Sequence, residues 1–278
     1  MSLSAVVRLS RPFNLVIAAL TVFLGAHIAL SGNWSQGDLI VVIFHALSVM
    51  LFMAAGNTLN DVNDLDIDRI AHPSRPLPAG EISADSATKI AFSEMFLATL
   101  VAVINPITLV IFIPALLLMI TYELGPTTKS KGTIGNIAIS LMVAAVIIYG
   151  AAAVKGAFDA LVIYAALAAF CVNLAREFVK DCEDIDADLG RKTLPMDFGL
   201  MNTRMLAYGI CMLGMVIAAL PFYVGVVSLS KLLFMAPAIM VLIMLNIPLF
   251  KGEDRAAQQR MRVAMLLALL GFAASVSF

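Results

Sequence analysis

Charge is scarce in this chain of 278 residues: 13% are Asp, Glu, Lys or Arg, about half the ~25% of an ordinary soluble domain. Hydrophobic residues make up 61% against the usual ~45–50%. That balance excludes a soluble enzyme and a disordered chain. A net charge of -1 provides no bulk field for a polyanion, so nucleic acid is excluded as a partner. Cysteine is sparse too. Cys171, Cys182 and Cys211 are odd in number and form no C-x-x-C pair, which speaks against a disulfide framework or a zinc site and fits a reducing compartment.

Long apolar runs take the place of charge. Arg8 and Arg11 ahead of the run 12–30 have the look of a secretory leader. That run of about 19 residues outlasts the ~7–15 of a signal core, and the same pattern recurs along the chain, so it reads as a first membrane span. A hydrocarbon layer of ~30 Å takes about 20 apolar residues per helix. On that length nine spans are expected, at 12–31, 39–60, 84–104, 106–122, 134–154, 157–179, 203–224, 229–250 and 259–277. The third and fourth meet at Asn105-Pro106, where the missing amide donor favours a tight turn. The expected fold is an all-α integral membrane protein, nine transmembrane helices in one bundle without a soluble domain.

Lys and Arg sort by face. Sixteen of the eighteen lie at the N-terminus or in the segments 61–89, 123–133, 176–204 and 251–262, which nine spans put on one side; the other side has Lys155 and Lys231. The positive-inside rule then makes the N-terminus cytoplasmic and puts the C-terminus opposite.

The acids are more concentrated still. Seven of nineteen fall between Asp61 and Glu94 and seven between Glu177 and Asp197, each group beginning at the end of a span on the cytoplasmic side. A carboxylate at the bilayer centre costs ~2.5–3.5 kcal/mol on insertion scales, so both groups belong at the surface or in a watered cavity. Each contains D-x-x-D-x-x-x-D: Asp61, Asp64 and Asp68 in one, Asp181, Asp184 and Asp188 in the other. If the preceding helix continues, ~100° per residue brings offsets of 3 and 7 within roughly 60° of each other. Asn57 and Glu177, four residues ahead, join these stripes. Like charges so spaced repel, and a cation offsets the repulsion.

An all-oxygen donor set lacking His and Cys suits a hard ion, Mg²⁺ first, which fills open positions with water and phosphate oxygens. Two such stripes imply a bridged polyanion. Arg75, Lys129 and Lys131 are available for its outer oxygens. Plainer roles fit other residues: Asp66, Glu183 and Asp186 point off the stripes, His72 and Pro73 shape a loop, His27 and His45 are satisfied interior histidines, Met-rich spans are packing or tunnel lining, and Cys182 has no assigned role.

These residues resemble a known family. Asn60-Asp61-x-x-Asp64-x-x-x-Asp68 followed by Pro73-Ser-Arg75-Pro76-Leu77-Pro78-Ala-Gly80 is similar to the first aspartate-rich signature of the UbiA superfamily of intramembrane prenyltransferases, and Lys180-Asp181-x-Glu183-Asp184-x-x-x-Asp188 to the second. Lys129-x-Lys131-x-x-x-Gly135-Asn136 and the opening Arg11-Pro12-x-Asn14 also correspond. The resemblance implies one prenyltransferase domain over residues 1–278, Mg²⁺ as cofactor, and a polyprenyl diphosphate donor. It places Asp64, Asp68, Asp181 and Asp184 in catalysis, and the six motif aspartates on the metal. Asn57, Asn60, Arg75, Lys129, Lys131, Lys180, Arg11 and Asn14 then bind diphosphate or phosphate.

The run Arg176-Glu177-x-x-Lys180-Asp181-x-Glu183-Asp184-Ile185 most resembles the archaeal ether-lipid branch. That implies transfer of geranylgeranyl to a lipid-like phosphorylated acceptor, geranylgeranylglyceryl phosphate, among membrane lipids. An aromatic acceptor, as in quinone, haem or chlorophyll synthesis, is the alternative within the superfamily. A cation-coupled transporter is the alternative of another class, although transporter sites usually lie near the midplane.

Overall fold

The computed structural model describes residues 3–124, 132–154, 158–185 and 192–278, whose regular structure is helical, with no β-strand among them. The helices are α1 (Leu3–Ser10), α2 (Pro12–Ala29), α3 (Gln36–Asn63), α4 (Leu65–Ala71), α5 (Ala84–Ala102), α6 (Pro106–Leu124), α7 (Gly132–Val154), α8 (Ala160–Glu183), α9 (Leu194–Phe198), α10 (Leu200–Tyr223), α11 (Ala236–Ile243), α12 (Asn246–Lys251) and α13 (Asp254–Ser277). A 3-10 turn, Leu229–Met235, leads into α11.

Local chemistry sets the helix starts. Ser35 and Asp38 cap α3 reciprocally, Ser83 accepts from the Ser86 amide at 3.2 Å to open α5, and Asp159 accepts from the Leu161 amide at 2.9 Å to open α8. Each satisfies an amide that the first helical turn leaves orphaned. Asn105-Pro106 is the tight turn its sequence demands: Asn105 Oδ1 accepts from the Ile107 amide at 2.9 Å while its Nδ2 donates to the Ala152 carbonyl at 3.0 Å, tying the turn to α7.

Eight helical segments are long and apolar enough to cross a membrane. The expected third span corresponds to α5, which is not among them and bears Asp85, Lys89 and Glu94 along its 19 residues. The expected span 229–250 is a run broken into three pieces, with Pro237 and Pro248 in the first turns of α11 and α12. Proline lacks the amide an interior turn requires, so each sits where that amide is unneeded.

Helix α7 is central, packing on α2, α3, α6 and α8. Its contact with α2 is backbone against backbone. A Cβ added at Gly150 would meet the Val22 carbonyl oxygen at 2.2 Å, and one at Gly25 the Ile147 oxygen at 2.3 Å. Small residues allow this approach, and dispersion between the two backbones replaces a hydrophobic driving force that lipid cannot provide.

Both acidic segments end up at one end of the bundle. Asn63, at the end of α3, donates to the Glu123 carbonyl near the end of α6 at 2.5 Å. Asn136, in the first turns of α7, donates to Asp181 near the end of α8.

Candidate functional site

The first acidic segment is built on a break. Helix α3 does not continue through the motif: it ends at Asn63, and Asp64 (φ −91°, ψ 9°) is both its C-cap and the lead-in to α4. The continuous stripe expected over Asp61, Asp64 and Asp68 is thus interrupted at its middle member. Two bonds span the break, from the Asp64 amide to the Asn60 carbonyl at 2.9 Å and from the Asp68 amide to the Asp64 carbonyl at 2.8 Å. They keep Asp68 close to Asp61, and Arg75 Nη1 lies 2.5 Å from Asp68 Oδ2 and 3.7 Å from Asp61 Oδ1.

Asp61 and Asp68 are only 3% and 4% exposed. Carboxylates this deep hold their charge only beside a cation. Two guanidiniums fill that role: Arg75 on both, and Arg11 paired with Asp61. Arg11 stands between α1 and α2 in the left-handed region, φ 55° and ψ 68°, a conformation that costs a non-glycine residue on the order of 1–3 kcal/mol and persists where surrounding contacts fix it. Asn57 supports the same corner by donating from Nδ2 to the Ser10 carbonyl at 2.9 Å, fastening α1 across the acids. Arg11, Asn57, Asp61, Asp68 and Arg75 are therefore brought together. Asn60 and Asp64 lie half-buried alongside, and Asn14 is exposed on the first turn of α2.

The second segment repeats the break. Helix α8 ends at Glu183, and Asp184 caps it at φ −91° and ψ 5°, its amide bonded to the Lys180 carbonyl at 2.9 Å. Asp181 is half-buried and accepts from Asn136 Nδ2 at 2.7 Å; Lys180 is exposed. Asp188, Lys129 and Lys131 lie outside the described residues, as does Asp186. Among the described residues no three Asp, Glu, His or Cys side chains converge as a ready-made metal cluster, because Asp61 and Asp68 turn toward arginines. The donor chemistry still fits a hard cation: each segment offers carboxylates and amide oxygens with no sulfur or imidazole.

Ser140 and Asn173 escaped the sequence reading, and Asn136 and Arg176 entered it only within motifs. Asn136 and Ser140 on α7 meet Asn173 on α8: Ser140 Oγ donates to the Asn136 carbonyl at 2.7 Å and receives a bond from Asn173 Nδ2 at 3.1 Å. Arg176 Nε then donates to Asn173 Oδ1 at 3.2 Å, and its Nη2 pairs with buried Glu177. Polar residues inside apolar runs were the available signal. Glu183, off the stripe, accepts from Gln258 at 2.5 Å, and Asp66 pairs with Arg69 in solvent. His27 is satisfied as expected, between Trp34 Nε1 at 2.8 Å and Ser277 Oγ at 2.7 Å. His45 is only half so: Nδ1 meets the Val41 carbonyl at 2.8 Å, and Nε2 is buried with no partner.

Comparison with known proteins places this site in context. The UbiA prenyltransferase family model matches residues 16–271. A digeranylgeranylglyceryl phosphate synthase of Methanopyrus kandleri is 33% identical over 277 residues, covering 98% of this chain and 99% of that protein. One of Thermococcus gammatolerans is 38% identical over 231 residues, 81% of this chain and 80% of the relative. A solved structure described as giving insights into digeranylgeranylglyceryl phosphate synthase in membranes superposes with a TM-score of 0.82 at 25% identity, over 99% of this chain and 98% of its own. A UbiA homologue from Archaeoglobus fulgidus bound to GPP and Mg²⁺ shares the fold, with a TM-score of 0.70 at 19% identity over 99% of this chain and all of its own.

Proposed function

The chain belongs to the UbiA prenyltransferase family, and on that premise we propose that it transfers a geranylgeranyl group from geranylgeranyl diphosphate to the free hydroxyl of geranylgeranylglyceryl phosphate, a step of archaeal ether-lipid synthesis. The full-length similarity to proteins named for that reaction supports the choice of acceptor. The observation that carries the chemistry is the pairing of two arginines with two buried aspartates at the bundle end that also holds Asp181 and Asp184.

Asp61, Asp64, Asp68, Asp181, Asp184 and Asp188 would hold Mg²⁺, which when bound neutralises the diphosphate and improves it as a leaving group. Arg11, Arg75, Asn57 and Asn60, with Lys129, Lys131 and Lys180, bind the outer oxygens, and Asn14 lies beside Arg11 for the same task. Ionisation of the allylic C1–O bond leaves a cation that the acceptor hydroxyl attacks, and the hydroxyl proton passes to released diphosphate or to a carboxylate. The apolar spans keep water from that cation. In this reading α5 is a ninth crossing, residues 1–278 are one catalytic domain, the N-terminus and both acidic segments face the cytoplasm, and the C-terminus faces away.

Purified protein given radiolabelled geranylgeranyl diphosphate should prenylate the glyceryl phosphate lipid in Mg²⁺ and stop in EDTA. Product with hydroxybenzoate alone would move the protein to the aromatic-acceptor branch. Movement of label across vesicles without product would make it a transporter.

A further inference from the structure

A prenyl acceptor that carries a phosphate needs a cationic subsite distinct from the one that grips the diphosphate. Arg176 lies within a membrane span, five residues before Asp181 on α8, about 7 Å along the helix axis. Its side chain is 14% exposed. A guanidinium has five N–H donors. Nε and Nη2 contact Asn173 and Glu177, and neither side chain has further bonds among the described residues beyond these and the Ser140 contact. The rest of the fork finds no acceptor among the described residues, yet no nitrogen of it is sealed from solvent. Inside a span, an accessible guanidinium faces a watered cavity rather than lipid.

A second arginine shares that place. Arg262 on α13 is exposed and stands one helical turn past Gln258, which donates to Glu183 at the end of α8 at 2.5 Å, so it lies on the face of α13 that packs on α8, with no ion pair of its own among the described residues. Two acids lie alongside, Glu177 paired with Arg176 and Glu183 bonded to Gln258, and they fix the two arginines in place. Each guanidinium keeps N–H donors without an acceptor among the described residues, and a phosphate between them takes up both forks. The separation from Asp181 suits a phosphorylated glycerol head, whose hydroxyl and phosphate belong to one three-carbon unit.

We propose that Arg176 and Arg262 form the subsite for the acceptor's phosphate, with Glu177 and Asn173 fixing the direction of the Arg176 fork. This rests on the glyceryl phosphate reading of the acceptor. The arginine pair then selects phosphorylated acceptors over neutral and aromatic ones. Neither residue touches the diphosphate.

The test is binding by calorimetry on the full chain in detergent, in EDTA, with geranylgeranylglyceryl phosphate and with the same lipid lacking phosphate. Arg176→Gln and Arg262→Gln should each weaken the phosphorylated lipid at least tenfold, and Arg262→Lys should recover part of the loss. Binding of the dephosphorylated lipid, and of a thiodiphosphate donor analogue with Mg²⁺, should be unchanged, which also certifies folding. Equal loss for both lipids, or none for either, overturns the subsite while leaving the reaction intact. Wild-type protein that binds and prenylates hydroxybenzoate but not the glyceryl phosphate overturns the reaction and the subsite together.

Discussion

Asp64 and Asp184, 120 positions apart in sequence, hold the same backbone conformation: φ is −91° at both, ψ is 9° and 5°, and each amide closes onto the carbonyl four residues back. Each is the second aspartate of its motif and each ends a long helix, so the two motifs share the same turn at that position. A half-buried residue at a helix end contributes little packing. Asp64→Asn and Asp184→Asn should therefore each lower the prenylation rate by about 10²- to 10³-fold, the scale for losing one electrostatic stabiliser, while stability stays within about 0.5 kcal/mol. Initial rates and thermal unfolding on the same preparations test this; a rate loss tracking a collapse of the melting temperature would count against a chemical role.

Arg75 contacts two buried carboxylates from one nitrogen. Removing it strands Asp68, at a cost of roughly 1–3 kcal/mol for an unsatisfied buried group. Arg75→Ala should melt earlier than wild type. Mg²⁺ should then raise its melting temperature more than it raises that of wild type, because the ion restores the missing charge. The comparison is a thermal melt with and without EDTA, and an equal metal response in both proteins would show that Asp61 and Asp68 do not bind the ion.

Much of this was legible in the sequence because it depends on local periodicity. Apolar runs of span length, the Asn105-Pro106 turn and the twin acidic motifs need no knowledge of distant partners. The break at Asp64 was not legible, since nothing in Asn63-Asp64-Leu65 forbids a helix and the Arg75 pairs with Asp61 and Asp68, on either side of it, are not local to the bend. Asn136 was quoted only as part of a motif because its partner, Asp181, is 45 residues away. The pairing of Arg204 with Asp254 spans 50 residues and joins a cation counted only in a loop tally to an acid outside both acidic groups.

Asn136 orients Asp181 through one side-chain bond of 2.7 Å, while its main-chain carbonyl accepts from Ser140. Outer partners of metal-binding carboxylates are commonly worth about 10–100-fold in metal affinity or activity. Asn136→Ala should raise the half-saturating Mg²⁺ concentration about tenfold with less effect at saturating metal. A Mg²⁺ titration of the rate decides it: a lower maximal rate at unchanged metal dependence would assign Asn136 to packing instead.

The α2–α7 contact predicts a packing failure with no chemical component. At Gly150 a methyl group would sit 2.2 Å from a backbone oxygen, and backbone cannot swing aside as a side chain does. Gly150→Ala should destabilise by about 1–3 kcal/mol, the range for overpacking, and Gly150→Val should abolish the monodisperse detergent peak in size-exclusion chromatography. Gly209, where an added Cβ meets nothing within 4 Å, is the control: Gly209→Ala should elute and melt as wild type.

Arg204 and Asp254 form a two-bond fork between α10 and α13, Nε to Oδ1 at 2.8 Å and Nη2 to Oδ2 at 2.6 Å, with side chains 13% and 7% exposed. Desolvating both charges offsets most of their attraction, whereas removing one partner leaves the other buried and uncompensated. Asp254→Asn should therefore cost about 3–5 kcal/mol, and the double variant Arg204→Met with Asp254→Leu should cost much less than the sum of its single changes. A double-mutant cycle on thermal unfolding measures the coupling. Additive losses would mean that the pair is solvated in the membrane-bound protein and that α10 and α13 are held together by their apolar faces alone.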